Sequence, residues 1–255
     1  MKANLLLELA QRMGDNALIL GQRVSAWCGH APALEEDIAM ANVGLDLIGQ
    51  AKLWLTLAGE VEGAGRDADA LAFLRDSRDF RNVLLVEQPN GDYGQTLMRQ
   101  FLFDAWHLPM LKALRQSVDE RVAEIAGKCA KEAAYHLDRS SDLVLRLGDG
   151  TAESREKMQA ALNFLFPYLE EMTAADAIDE AIAAAGLGPR LSVIDEEFRD
   201  TLAAVAADAT LAILSAPARS GASSWSGKAG RHTEEFGRLL AEMQWLQRAY
   251  PGASW

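Results

Sequence analysis

Residues 33–60 read ALEEDIAMANVGLDLIGQAKLWLTLAGE, and this stretch decides the class of fold. Glu35, Glu36 and Asp37 stand at its start, where carboxylates suit the positive end of a helix dipole. Ile38, Val43, Leu45, Leu47, Ile48, Leu53 and Leu55 then recur at helical spacing on more than one face. That pattern predicts a long central helix covered on several sides. Asn42, Asp46 and Gln50 form an i, i+4 polar row on this otherwise apolar helix.

The same period holds to either side. Residues 4–28 place Leu6, Leu9, Met13, Leu20, Val24 and Trp27 on one stripe; Gly29 offers a left-handed stop and Pro32 resets the chain. A short helix is predicted over 68–77. Asp92 with Gln95 resembles a capping box and opens a helix over 93–115; Ser117 with Glu120 repeats the signal for 118–147. Further helices are expected at 152–172, with Pro167 as a kink, and at 174–185, 190–214 and 233–249. The β-prone run Val83-Leu84-Leu85-Val86 stands alone and is expected to pack beneath a helix. Residues 215–231, SAPARSGASSWSGKAGR, read as an irregular surface loop, with Trp225 as the anchor if it orders against a partner. Four long helices with later additions predict an all-α antiparallel bundle, one domain over 1–255.

Composition bounds the function. Of 255 residues 49% are hydrophobic, enough for a buried core, and the formal net charge is −12. An acidic surface argues against nucleic acid and against anionic membrane as partners. No apolar run approaches the roughly 18 residues a spanning helix needs, and Leu5–Leu7 is too short for a signal segment, so the chain reads as cytoplasmic. Cys28 and Cys129 form no CxxC and are expected on apolar helical stripes, as small hydrophobes.

The informative residues are polar ones at apolar positions. Over 93–115 the stripe runs Leu97, Phe101, Asp104, Leu108, Leu111, so Asp104 is predicted to face inward, with His107 on the adjoining face. Over 118–147 it runs Val118, Val122, Ile125, Cys129, then Glu132 or Ala133, His136, Ser140, Leu143, Leu147. His136 thus faces the core and Glu132 borders it. Carboxylates and imidazoles inside a helical bundle raise the question of a di-iron centre, which demands two Glu-x-x-His motifs aimed inward. The residues three before His30, His107, His136 and His232 are Trp27, Asp104, Ala133 and Ala229, so no Glu-x-x-His exists. Residues 33–60 contain no histidine, and Glu8 and Asp15 fall off the apolar stripe of 4–28. The expectation is that this chain holds no metal and no cofactor. Asp46, Gln50, Asp104, Glu132 and His136 are expected to form an interior hydrogen-bonded network in place of a metal site, because unpaired buried charge costs several kcal/mol.

Other motifs fail. Gly221 to Lys228 has five residues between its glycines and Ala229 after the lysine, so it is not a phosphate loop. No G-x-S-x-G is present. Trp27-Cys28-Gly29-His30 is read as core packing and a helix end.

Several stretches resemble the C-subunit (PaaC) family of the bacterial phenylacetyl-CoA epoxidase, a ring-epoxidising monooxygenase. They are GDNALILGQRVSAWCGHAP, ANVGLDLIGQAKLWL, RNVLLVEQPNGDYGQT, FDAWH, KEAAYHL and HTEEFGRLLAEMQWLQR, and they run nearly end to end. The resemblance implies a ferritin-like fold related to a catalytic A subunit that holds the di-iron centre. On that relation Ala133 and His136 match the fourth-helix Glu and His, Asp104 matches the third-helix carboxylate, and the second-helix motif falls near Leu47 and Gln50. The departures remove ligands, so no catalytic or metal residue carries over. The resemblance also implies partners: the A subunit, a small bridging subunit and, indirectly, an NADPH-using flavin and iron–sulfur reductase. A face meant for another subunit also lets an isolated chain pair with itself. Two other classes compete. One is an independent metal-dependent oxidase. The other is a coenzyme A-binding helical module using Arg219, Lys228 and Arg231.

Overall fold

The structure, a computed structural model, describes residues 2–214 and 226–253. Every regular element among them is helical and none is a strand. The α-helices are α1 (Lys2–Ser25), α2 (Leu34–Glu62), α3 (Ala68–Phe73), α4 (Tyr93–Leu114), α5 (Glu120–Gly148), α6 (Ala152–Leu165), α7 (Leu169–Thr173), α8 (Ala177–Ala184), α9 (Leu191–Asp208) and α10 (Glu234–Ala249). Among the described residues no helix is long and apolar enough to cross a membrane. Two compact units are formed: Met1–Pro89 with Ser223–Trp255, and Asn90–Ala222.

In the first unit α1 and α2 pack antiparallel along their length. A Cβ at Gly14 would strike Leu55 at 2.8 Å, one at Gly21 would reach Ile48 at 3.0 Å, and one at Gly44 would strike the Ser25 hydroxyl at 2.8 Å. Close approach of the two backbones therefore rests on small residues. α1 is buried nearly all round between Leu9 and Gly21. Gly63, at φ +68, ends α2 by donating its N–H to the Gly59 carbonyl. α3 and α10 complete this unit. The run Val83–Val86 is buried and folded into turns.

α2 is the long helix its sequence announces, but it is not covered on all sides. Ile38, Leu45 and Leu53 are exposed while Val43, Leu47 and Leu55 are buried. One face packs within the chain, and the opposite face is left open among the described residues.

In the second unit α4 is buried along almost its whole length against α5, α6 and α9. Asp92 caps α4 by accepting from the Gln95 N–H. α5 begins later than the Ser117 signal implies, because Asp119 is the cap and accepts from Arg121 and Val122. Pro167 does not merely kink 152–172: the chain passes into a short 3₁₀ turn at Phe166–Tyr168 between α6 and α7. The helix expected to reach 214 stops at Asp208, and Thr210 takes φ +57 two residues on. Likewise α3 stops at Phe73, and Ser77–Asp79 forms a separate 3₁₀ turn.

Trp225 and Arg219 lie outside the described residues. The end of the expected loop is not irregular: Gly227–Ala229 is a 3₁₀ turn with Gly227 and Lys228 buried. A Cβ at Gly227 would fall 2.0 Å from the Asn82 carbonyl, so only glycine fits that approach.

Candidate functional site

The second unit holds Asp104, His107 and His136 in its interior. Asp104 on α4 is fully buried. Gln100, one turn earlier, donates to its Oδ1 at 2.7 Å, and Ser140 on α5 donates to its Oδ2 at 2.9 Å. Burial raises the Asp104 carboxyl to about 6; the positive field of His136, the two hydrogen bonds and Arg139 oppose the rise. Among the described residues the carboxylate thus takes its hydrogen bonds from neutral groups.

His107 is also buried, one turn beyond Asp104. Its ring packs 4.7 Å from Phe103 and stacks near-parallel to Trp106 at 6.1 Å. Neither ring nitrogen has a hydrogen-bond partner among the described residues. Burial, with repulsion from His136, lowers its pKa to about 3, so the ring is held neutral. His136 on α5 is buried as well. Glu132, one turn before it, is only half-buried. Burial, with the Glu132 charge added to it, pushes the Cys129 thiol up to about 12. Ala133 is fully buried.

In the first unit Gln50 is buried, Asp46 half-buried and Asn42 exposed. The five residues expected in one network are therefore unequal in depth: Gln50, Asp104 and His136 are interior, while Asp46 and Glu132 sit at the margins of their helices. Cys28 corrects its expectation, since α1 ends at Ser25 and leaves this thiol exposed in a turn; Cys129 is buried, and both are free thiols. Lys228 is buried rather than offered to solvent, so the loop cations do not form one exposed set with Arg231.

Asp15 is the clearest correction. It falls off the stripe but is fully buried, because α1 is covered on every side at that level. Arg75 pairs with it through both guanidinium NH groups, and the Arg81 N–H adds a bond at 2.8 Å. A second buried carboxylate, Glu87, accepts from the Thr233 N–H at 2.7 Å and from Asn82 at 3.2 Å, with His232 Nδ1 at 2.9 Å. These pairs span 60 and 145 positions, so no local spacing signals them. They tie 75–88 and the start of α10 to α1.

Among the described residues no three or more His, Cys, Asp or Glu side chains stand where they could hold a metal ion. The donor set among the described residues does not fit a di-iron centre.

The whole chain, residues 1–255, matches the protein family described as "Phenylacetic acid catabolic protein". The chain belongs to this family. It is a ferritin-like family, in keeping with the helical architecture above. Within the phenylacetic acid catabolic family the chain is 46% identical over 253 residues to the C subunit of 1,2-phenylacetyl-CoA epoxidase from Escherichia coli strain K12. That match covers 99% of this chain and 100% of the relative. In this family member the carboxylate of Asp104 faces a serine and a glutamine, and the residue three before His136 is alanine.

Proposed function

We propose that this chain is the structural, catalytically silent C subunit of a multicomponent phenylacetyl-CoA epoxidase. In aerobic phenylacetate degradation it stabilises the di-iron catalytic A subunit. The end-to-end match to the E. coli protein, named as the C subunit of that epoxidase, supports the assembly. The observation that carries the silent role is the bonding of Asp104. Its two oxygens take hydrogen bonds from Gln100 and Ser140, and Ala133 fills the place one turn before His136. A helical interior closed by neutral donors holds its shape without an ion to organise it. The other partners on this reading are a small bridging subunit and, indirectly, the reductase.

The test is co-production of the catalytic A subunit with and without this chain. The expected result is that the A subunit alone is poorly soluble or inactive on phenylacetyl-CoA and is restored by this chain. An A subunit that is stable and fully active by itself would refute the role.

A further inference from the structure

Asn90 is the asparagine that this sequence places before a glycine; the other five, Asn4, Asn16, Asn42, Asn82 and Asn163, precede larger residues. The distinction is chemical. A side-chain amide carbon is open to attack by the main-chain nitrogen of the next residue, and a glycine there brings no side chain to hinder the approach. Asparagine is for this reason among the thermally labile residues.

The fold exposes that nitrogen and activates that carbon. Thr96 donates its hydroxyl to the Asn90 main-chain carbonyl at 2.9 Å. The peptide unit is planar and trans, so the Gly91 N–H points the opposite way. Gly91 is exposed, and its N–H meets no hydrogen-bond acceptor among the described residues. Buried Arg99 donates to the Asn90 side-chain oxygen at 2.6 Å. A guanidinium only donates, so the atom it faces is the amide oxygen and the amide nitrogen is left as the leaving group. A cationic donor thus stands where negative charge develops when the amide carbon is attacked.

The other asparagines lack this arrangement. Asn4, Asn16, Asn42 and Asn163 lie within α1, α2 and α6. After Asn82 the Val83 N–H is already bound, to the Asn16 side chain at 2.8 Å.

We propose that Asn90 is a modification site of the folded protein, converting through a five-membered imide to aspartate and isoaspartate. The Gly91 nitrogen, its proton taken by hydroxide, bonds to the Asn90 Cγ. The bond from Cγ to the side-chain nitrogen breaks, and ammonia leaves with a proton from water. One water then opens the imide at either carbonyl. The net exchange is one water in and one ammonia out, with no oxidant or reductant. Aspartate sets a carboxylate opposite Arg99, two residues before the Asp92 cap of α4. Isoaspartate also lengthens the main chain there by a methylene. The proposal does not depend on the role assigned above.

The test is peptide mapping of the full chain after warm incubation at pH 8, with isoaspartate counted by enzymatic carboxyl methylation. The same chain in denaturant is the reference. Asn90 is expected to convert first, at a native rate within about tenfold of the denatured one, the order of factor that fixing one residue's backbone imposes. Arg99→Met or Arg99→Gln, whichever keeps the parent's helicity by circular dichroism, slows the native reaction about threefold or more and leaves the denatured rate unchanged. A native rate below that tenfold limit, or conversion at another asparagine ahead of Asn90, overturns the proposal. An unchanged native rate in a folded Arg99 variant overturns the part given to Arg99. Should neither variant fold, the ratio of native to denatured rates alone decides.

Discussion

Ser140 on α5 donates its hydroxyl to Asp104 on α4 at 2.9 Å, joining two neighbouring helices through a fully buried carboxylate. The consequence is a pH dependence of known sign. Burial raises the Asp104 carboxyl to about 6. Between the ordinary carboxylate range and about 6 the folded chain keeps a proton that the unfolded chain has released. This group therefore adds stability at low pH and loses it as pH rises through about 6, a swing of about 3 kcal/mol. Asp104→Asn removes the swing. In urea titrations the variant should gain most over the parent near pH 8 and lose that advantage near pH 4. The reverse order would mean that a cation or a stronger donor set holds the carboxylate.

His107 works in the opposite direction. Its pKa is lowered to about 3, so on acidification the unfolded chain takes up a proton that the folded chain refuses. Stability falls as pH drops from the ordinary histidine value towards 3. Replacement by Phe, which keeps the packing against Phe103 and Trp106, should spare about 2 to 3 kcal/mol of the loss between pH 6 and 4. The two groups offset each other in the parent, so only the single variants expose either slope. An unchanged acid profile in His107→Phe would show that the ring is not held neutral.

The two thiols should differ in reactivity. Cys28 is exposed, whereas Cys129 is buried with its pKa pushed up to about 12. Native protein at pH 8 should take up one equivalent of a thiol reagent, at Cys28 by peptide mapping, and a second only in denaturant. Rapid labelling of Cys129 in the native chain would contradict its place in α5.

Asp15 and Arg75 make a buried ion pair. Asp15→Ala leaves the guanidinium buried with its carboxylate gone, and should cost about 3 to 5 kcal/mol in urea unfolding. A loss below about 1 kcal/mol, the size of a surface pair, would show that Arg75 finds water instead.

These predictions also mark what the sequence could and could not convey. Local periodicity carried α1, α2, α4 and α5 because each long helix repeats its apolar positions over many turns. It carried the inward direction of Asp104 and His136 for the same reason. It misplaced ends where one residue decides, as at Asp119, Pro167 and Thr210. It missed Asp15 because a stripe presupposes one solvent-facing side, and α1 has none at that level. The partners Arg75, Glu87 and His232 were invisible because they meet through distant parts of the chain. Leu45 and Ile38 read as covered because they are apolar and fall at helical spacing, yet both are exposed among the described residues.

The central claim is that this member of the family carries no redox metal of its own. Iron analysis of the full chain, purified without partners after growth in iron-rich medium, tests it most directly. The account predicts iron far below one atom per chain, with no change on adding ferrous ion and removing the excess. Retention of about two irons per chain, the complement of a ferritin-like di-iron site, would contradict it.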